Sequence, residues 1–124
     1  MRAYGFSLLE IVITLAIIAV VASIAYPSYQ YTMARSRRRQ ALWQLQHLAS
    51  KLEHHYLHHH QYRGYSLPTA LSSAYQFTLS SSQPHQFTLI ATPNSQQRQY
   101  DRCGTLTIDN HNQLTSADNG YCLK

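Results

Sequence analysis

The sequence predicts an α+β fold, in which one long N-terminal helix is followed by a small antiparallel β-meander of three to four strands. Apolar residues are concentrated near the start of the 124-residue chain. Further along, apolar residues recur at the three- and four-residue spacings of a helix. After about residue 75, short segments that alternate in polarity are separated by polar turns, as strands are.

The apolar run from Phe6 to Tyr26 reads FSLLEIVITLAIIAVVASIAY, and its only charged residue is Glu10. As a helix rising about 1.5 Å per residue, this run is long enough to cross a bilayer core of about 30 Å. A removable secretory signal has a shorter apolar region that ends in a small-residue cleavage site. We therefore expect residues 6–27 to form a retained transmembrane helix.

Glu10 is the residue that a simple membrane anchor does not explain. An acidic side chain inside a transmembrane helix costs about 2.5 to 3.5 kcal/mol on insertion scales, so we expect Glu10 to have a partner. The alternative is a carboxylate near the helix start that reaches the membrane interface or is protonated.

A second helical segment is predicted over residues 28–62. Pro27 lacks a backbone donor, which predicts a kink or a local break before this segment, and Arg63-Gly64 followed by Pro68 predicts its end. Trp43 lies off the apolar stripe; we expect it to flank the core, with a subunit contact as the alternative. The stripe that should pack on the sheet consists of Ala41, Leu42, Leu45, Leu48, Ala49, Leu52 and Tyr56.

The predicted strands follow in two groups. Tyr75–Leu79 and Gln86–Ala91 form a hairpin with a polar turn between them. Gly104–Asp109 forms a third strand, and Gln113–Thr115 begins a short fourth strand. The predicted sheet and its C-terminal loop therefore occupy residues 75–124.

Cys103 and Cys122 are the only cysteines. A bridge between them would close a loop of about 20 residues and stabilise the fold by about 3 kcal/mol. A small domain with little core material benefits from such a bridge, which indicates an oxidising compartment. Two unrelated reduced thiols are the alternative.

The net charge is +5, and nearly all of the excess lies outside the apolar run. A basic surface attracts nucleic acid, anionic lipid headgroups and acidic polysaccharide alike. The charge alone does not select among these partners.

Five histidines occur close together before the predicted end of the helix, and the pairs His54/His58 and His55/His59 have the i,i+4 spacing at which two imidazoles can share a metal. Two ligands are too few for a structural zinc site, and a helix C-terminus favours histidines in any case. We therefore predict no metal site, with His54 and His58 as weak candidates.

The junction Gly5-Phe6-Ser7-Leu8-Leu9-Glu10 closely resembles the class III leader of type IV prepilins. The resemblance implies that a membrane peptidase removes residues 1–5 by cutting after Gly5, and then methylates the new N-terminus at Phe6. It also implies a partner for Glu10, namely the N-terminal amine of a neighbouring subunit, since opposite charges can meet when subunits stack in register.

The whole chain resembles the type IV pilin fold and is most similar to small minor pilins of the PilE type. Three stretches carry this likeness: the arginine-rich helix start, the helix end with Glu53, Tyr56 and Tyr62, and the run from Tyr100 to Asp109. By this resemblance, the cysteine bridge would hold the C-terminal loop to the sheet edge. The protein would cross the inner membrane once, with a cytoplasmic N-terminus and a periplasmic head over 28–124, before entering a surface pilus.

A basic cluster, Arg35, Arg37, Arg38 and Arg39, lies soon after the apolar run and conflicts with the positive-inside rule if the head is outside the cytoplasm. A cytoplasmic head is therefore the alternative topology, although the cysteines and the leader favour translocation. The cluster is either a solvated helix face or a contact for acidic groups of other pilins, for lipid headgroups or for DNA.

The resemblance implies a structural minor pilin for pilus assembly, supporting adhesion, twitching motility or DNA uptake. Its partners would be major and minor pilins, the prepilin peptidase/N-methyltransferase and the inner-membrane assembly platform. The alternatives are a type II secretion pseudopilin and a membrane-tethered DNA-binding pilin. We expect neither an enzyme nor a cofactor, because the sequence has no phosphate loop, nucleophile elbow or carboxylate pair.

Overall fold

The computed structural model describes residues 4–69, 71–118 and 120–123. It consists of two compact units, an N-terminal unit that ends at Met33 and a C-terminal unit that begins at Ala34. Residues 1–3 of the predicted leader lie outside the described residues. So does Lys124, at the end of the predicted head.

One helix, α1, extends over Leu8–His59 and continues without interruption through Pro27. The predicted single long helix is confirmed, whereas the local break suggested at Pro27 is wrong. The physical reason is that a proline removes one backbone hydrogen bond while the turns on either side remain intact. A kink at Pro27 stays a prediction.

In the N-terminal unit, the apolar side chains of α1 are exposed. The helix contains an 18-residue window with a mean hydropathy of 2.7 and none of it buried. Side chains such as Ile13, Ile18 and Ile24 are more than half exposed. An apolar surface of this extent is expected to be covered by lipid or by other apolar helices.

The core of the C-terminal unit lies between α1 and a sheet. The predicted stripe is confirmed: five of its members are buried, and Leu42 and Tyr56 pack against them partly buried. Trp43, in contrast, is 63% exposed and stacks in parallel on His47, so the expectation that it flanks the core is wrong. It lies on a face of α1 that the sheet does not cover. The buried side chains of the stripe are Ala41, Leu45, Leu48, Ala49 and Leu52.

Helix α1 ends at His59, three residues before the predicted position. His60 adopts a left-handed conformation, with φ of 57°, and its backbone N–H donates to the carbonyl oxygen of Tyr56. Histidine is one of the few residues enriched in that conformation. It therefore terminates the helix before Gly64 can do so.

The sheet has four antiparallel strands in the order β1-β2-β3-β4, as predicted. The strands are β1 Tyr75–Ser80, β2 Thr88–Pro93, β3 Leu106–Asp109 and β4 Leu114–Ser116. Strand β2 begins later than predicted because Gln86 donates its backbone N–H to Gln83 within the turn. Alternation is clearest in β2 and β3, where Leu89, Ala91, Leu106 and Ile108 are buried.

Two short elements were not predicted. A second helix, α2, covers Ser95–Tyr100, and a 3₁₀ turn covers Tyr121–Leu123. The N-terminus of α2 is capped by Asn94, whose side-chain oxygen accepts from the backbone N–H of Gln97 at 2.8 Å. An Asn followed three residues later by Gln is a recognised start signal, but six residues are too few to show a helical period.

Candidate functional site

The predicted cleavage site lies just before α1. Gly5 and Phe6 precede the first helical residue, Leu8, and the Phe6 side chain is 82% exposed. No heavy atom of a described residue lies within 4 Å of the position that a Cβ on Gly5 would take, apart from its chain neighbours. This segment is therefore open to an approaching protein.

Glu10 lies in the first turn of α1 and is exposed. Its backbone carbonyl accepts a hydrogen bond from the Thr14 hydroxyl. Within residues 4–69, 71–118 and 120–123, its carboxylate has no hydrogen bond or ion pair. The charge that would neutralise it is therefore not supplied by this part of the chain.

The four predicted arginines do not form one surface cluster. Arg38 lies in an ion pair with Asp101, at 2.6 Å between Nη1 and Oδ1, and only 17% of the Arg38 side chain is exposed. The same nitrogen lies 2.8 Å from the sulfur of Cys103. Arg38 is therefore a structural residue, and its assignment to a polyanion contact is wrong.

Asp101 is the centre of a buried polar network. Its Oδ1 accepts from the backbone N–H of Cys103 at 3.2 Å, and its Oδ2 accepts from the Gln97 side-chain amide at 3.2 Å. The Tyr75 hydroxyl donates to Oδ2 at 3.4 Å. Burial, together with the nearby Asp101 charge, raises the pKa of Tyr75 to about 12, so the phenol stays protonated and able to donate.

The network attaches α2 to α1. The Gln97 amide also donates to the backbone carbonyl of Ala34 at 2.7 Å, and Arg38 binds Asp101 just after α2 ends. Both contacts join the first turns of α1 in the C-terminal unit to residues 97–101. Because glutamine and aspartate are rarely buried, these two contacts account for their burial.

This attachment adds two arginines to the predicted set. Arg98 and Arg102 are exposed and directly follow Gln97 and Asp101, the residues that contact α1. They therefore lie in segments adjacent to Arg35 and Arg39, which are also exposed. Neither Arg98 nor Arg102 was predicted from the sequence. The only sequence signal for these two arginines was their position on either side of Asp101. We refer to Arg35, Arg37, Arg39, Arg98 and Arg102 as the arginine group.

Cys103 and Cys122 form the predicted disulfide, so the alternative of two reduced thiols is wrong. The bridge joins the loop before β3 to the 3₁₀ turn near the C-terminus. Gly104 follows Cys103 with a φ of 65°, and a Cβ there would lie 2.9 Å from the Cβ of Ala117. A glycine is required at this position by both conformation and space.

The histidine pairs lie near the end of α1. The ring centroids of His54 and His58 are 4.8 Å apart, and those of His55 and His59 are 4.3 Å apart. Among the described residues, no group of three or more His, Cys, Asp or Glu side chains is arranged to hold a metal ion together.

Family models match nearly the whole chain. Residues 1–26 match a prokaryotic N-terminal methylation motif. Residues 27–107 match the model described as type IV minor pilin ComP, DNA uptake sequence receptor. A search of curated protein sequences gave no match.

Solved structures of type IV pilins share this fold. A type IV pilin from Shewanella oneidensis is 33% identical, with a TM-score of 0.59, and the match covers 69% of this chain and 94% of that pilin. The non-core minor pilin PilV of Neisseria meningitidis is 25% identical, with a TM-score of 0.59 and coverage of 69% and 88%. The apolar helix and the methylation motif fit a membrane-anchored pilin. Because the ComP model matches residues 27–107, which are more than half of the chain, the chain belongs to the type IV minor pilin family represented by ComP.

Proposed function

We propose that this minor pilin acts in DNA uptake and that its C-terminal unit binds DNA. The observation that carries the proposal is the match of residues 27–107 to a family described as a DNA uptake sequence receptor. Adhesion and twitching motility, the other roles that the sequence suggests, have no comparable support.

The charge distribution of the C-terminal unit supports binding to a polyanion. Asp101 is neutralised by Arg38, and the Glu53 carboxylate accepts from the Tyr62 hydroxyl at 3.0 Å. Asp109 accepts backbone N–H groups of the turn that follows it. Three of the four acids in this unit thus have intrachain partners, whereas Arg35, Arg39, Arg98 and Arg102 are exposed. Guanidinium groups pair with phosphate oxygens through two parallel hydrogen bonds.

The proposal includes a route to the cell surface. The precursor is inserted with a cytoplasmic N-terminus and a periplasmic C-terminal unit, cleaved after Gly5 by the prepilin peptidase and methylated at Phe6. With the assembly platform and other pilins it then enters a pilus, where Glu10 pairs with the N-terminal amine of a neighbouring subunit. The lack of an intrachain partner for Glu10 among the described residues supports this pairing, because an unpaired acid in an apolar environment is costly.

DNA binding is best tested on the full-length protein in detergent, by titrating duplex DNA at several salt concentrations. We expect the paired changes Arg35→Gln/Arg39→Gln and Arg98→Gln/Arg102→Gln each to weaken binding. Each should also reduce the slope of log affinity against log salt by about one for every phosphate that the variant no longer neutralises.

The matched control is Lys51→Gln/Arg63→Gln, which removes two exposed cations from another part of the C-terminal unit. It should leave both affinity and salt slope nearly unchanged. An equal loss of affinity in the control would show that net charge, and not the arginine group, governs binding. Failure of the unmodified protein to bind DNA would refute the proposed function.

A further inference from the structure

We propose that the end of helix α1 binds divalent transition-metal ions through two histidine pairs, His54/His58 and His55/His59, with one ion on each pair. This site uses side chains that have no part in the arginine group. It is therefore independent of DNA binding.

The helix itself arranges each pair. Residues four apart lie one above the other on a helix surface, and the ring centroids are 4.8 Å apart in one pair and 4.3 Å in the other. Imidazole nitrogens bind Zn²⁺ at about 2.0–2.1 Å, so two rings this close can direct their nitrogens at one ion. Imidazole also suits Cu²⁺ and Ni²⁺.

The four histidines line one shallow cavity of about 320 Å³, together with Lys51 and Tyr65. His55 is partly buried, and its ring lies edge-on to Tyr65 with 5.6 Å between the ring centroids. Its Nε2 is shielded from solvent and has no hydrogen-bond partner among the described residues. A shielded nitrogen without a partner is unfavourable, and coordination of a metal would give it one.

The surrounding charges are compatible with a bound cation. The pairs lie in the last turns of α1, where the carbonyl end of the helix dipole favours positive charge. Lys51 opposes a cation, but it is exposed and therefore well screened. Glu53 is directed to the Tyr62 hydroxyl and is not counted as a ligand.

Each ion would have only two protein ligands, in agreement with the absence of three-ligand groups in the part of the chain that the structure describes. The remaining coordination positions would be taken by water or by a donor from another molecule. Such a site keeps open coordination positions, in contrast to a closed structural site with four protein ligands.

The test is isothermal titration of the full-length protein in detergent, purified without a histidine tag, with CuCl₂, NiCl₂ or ZnCl₂. We expect two ions per chain, and tighter binding of Cu²⁺ than of Ni²⁺ or Zn²⁺. His54→Gln/His58→Gln and His55→Gln/His59→Gln should each reduce the stoichiometry from two ions to one. The fourfold variant should bind none.

The matched control is His47→Gln/His111→Gln, which removes two exposed histidines outside the pairs and should keep both ions. Glutamine is a good helix former, and circular dichroism checks that α1 is retained. Electron paramagnetic resonance of the Cu²⁺-loaded unmodified protein should show nitrogen ligands. Absence of micromolar binding, a stoichiometry of one, or full binding by the fourfold variant would overturn the proposal.

Discussion

Arg38 differs from Arg35 and Arg39 because its guanidinium is held against Asp101. Breaking a buried ion pair leaves the other charge without compensation, which costs about 3–5 kcal/mol for a fully buried pair. Since Arg38 retains some exposure, we expect Arg38→Gln to lower the free energy of unfolding by about 2–4 kcal/mol.

The control for this change is Arg39→Gln. Arg39 is exposed, so its substitution should change stability by no more than about 0.5 kcal/mol. Urea denaturation of both variants, followed by circular dichroism, measures the difference. Equal stability of the two variants would show that the ion pair has no structural role.

Tyr75 provides a prediction about pH. Its pKa is raised from 10.0 to about 12 in the folded protein, so the folded state favours the protonated phenol more than the unfolded state does. Its contribution to stability is complete below pH 10 and is lost as the pH rises from 10 to 12. We expect Tyr75→Phe to lose less stability over this range than the unmodified protein, as measured by urea denaturation at each pH.

Part of the alkaline loss of stability should persist in Tyr75→Phe. Burial and the Glu53 carboxylate raise the pKa of Tyr62 to about 12 as well, so the double variant with Tyr62→Phe should lose still less. An unchanged pH dependence in Tyr75→Phe would contradict the role assigned to its buried hydroxyl.

At the scale of elements, the disulfide joins the 3₁₀ turn to the loop that precedes β3. Its cysteines are 19 residues apart, and closing a loop of this size stabilises by about 3 kcal/mol. Cys122→Ser should therefore lower the melting temperature and increase protease sensitivity under oxidising conditions.

The same variant provides its own control under reducing conditions. There the unmodified protein should become as unstable as Cys122→Ser, since neither has the bridge. We use Cys122 because Cys103 also contacts Arg38, so that its replacement would disturb two interactions. A variant as stable as the oxidised protein would contradict the structural role of the bridge.

Long periodic elements could be predicted from the sequence, but short ones could not. The stripe from Ala41 to Tyr56 repeats often enough to identify a buried helix face. Alternation identified three strands, and the turn after Asp109 indicated the fourth. Helix α2 is too short to show a period. The end of α1 depends on the left-handed conformation of His60, which its neighbours in the sequence do not specify.

The candidate functional sites also differ in how far the sequence alone could predict them. The processing motif and Glu10 are contiguous in sequence and were predicted directly. The role of Arg38 depends on Asp101, which is 63 residues away, and the addition of Arg98 and Arg102 depends on the same long-range interaction. No local pattern contains that information.

At the scale of the whole molecule, the chain combines an apolar helix surface in the N-terminal unit with a folded, positively charged C-terminal unit. Its family is structural, and membership implies assembly with other pilins after processing by a peptidase. The matched structures are pilins, so the type II secretion pseudopilin is not favoured.

The most direct test is mass spectrometry of the N-terminal peptide of this protein in pili sheared from cells. Cleavage after Gly5 and pilus entry predict a peptide that begins with N-methylated Phe6. A protein that still carries Met1, or one that stays in the membrane and is missing from the sheared fibres, would contradict the account.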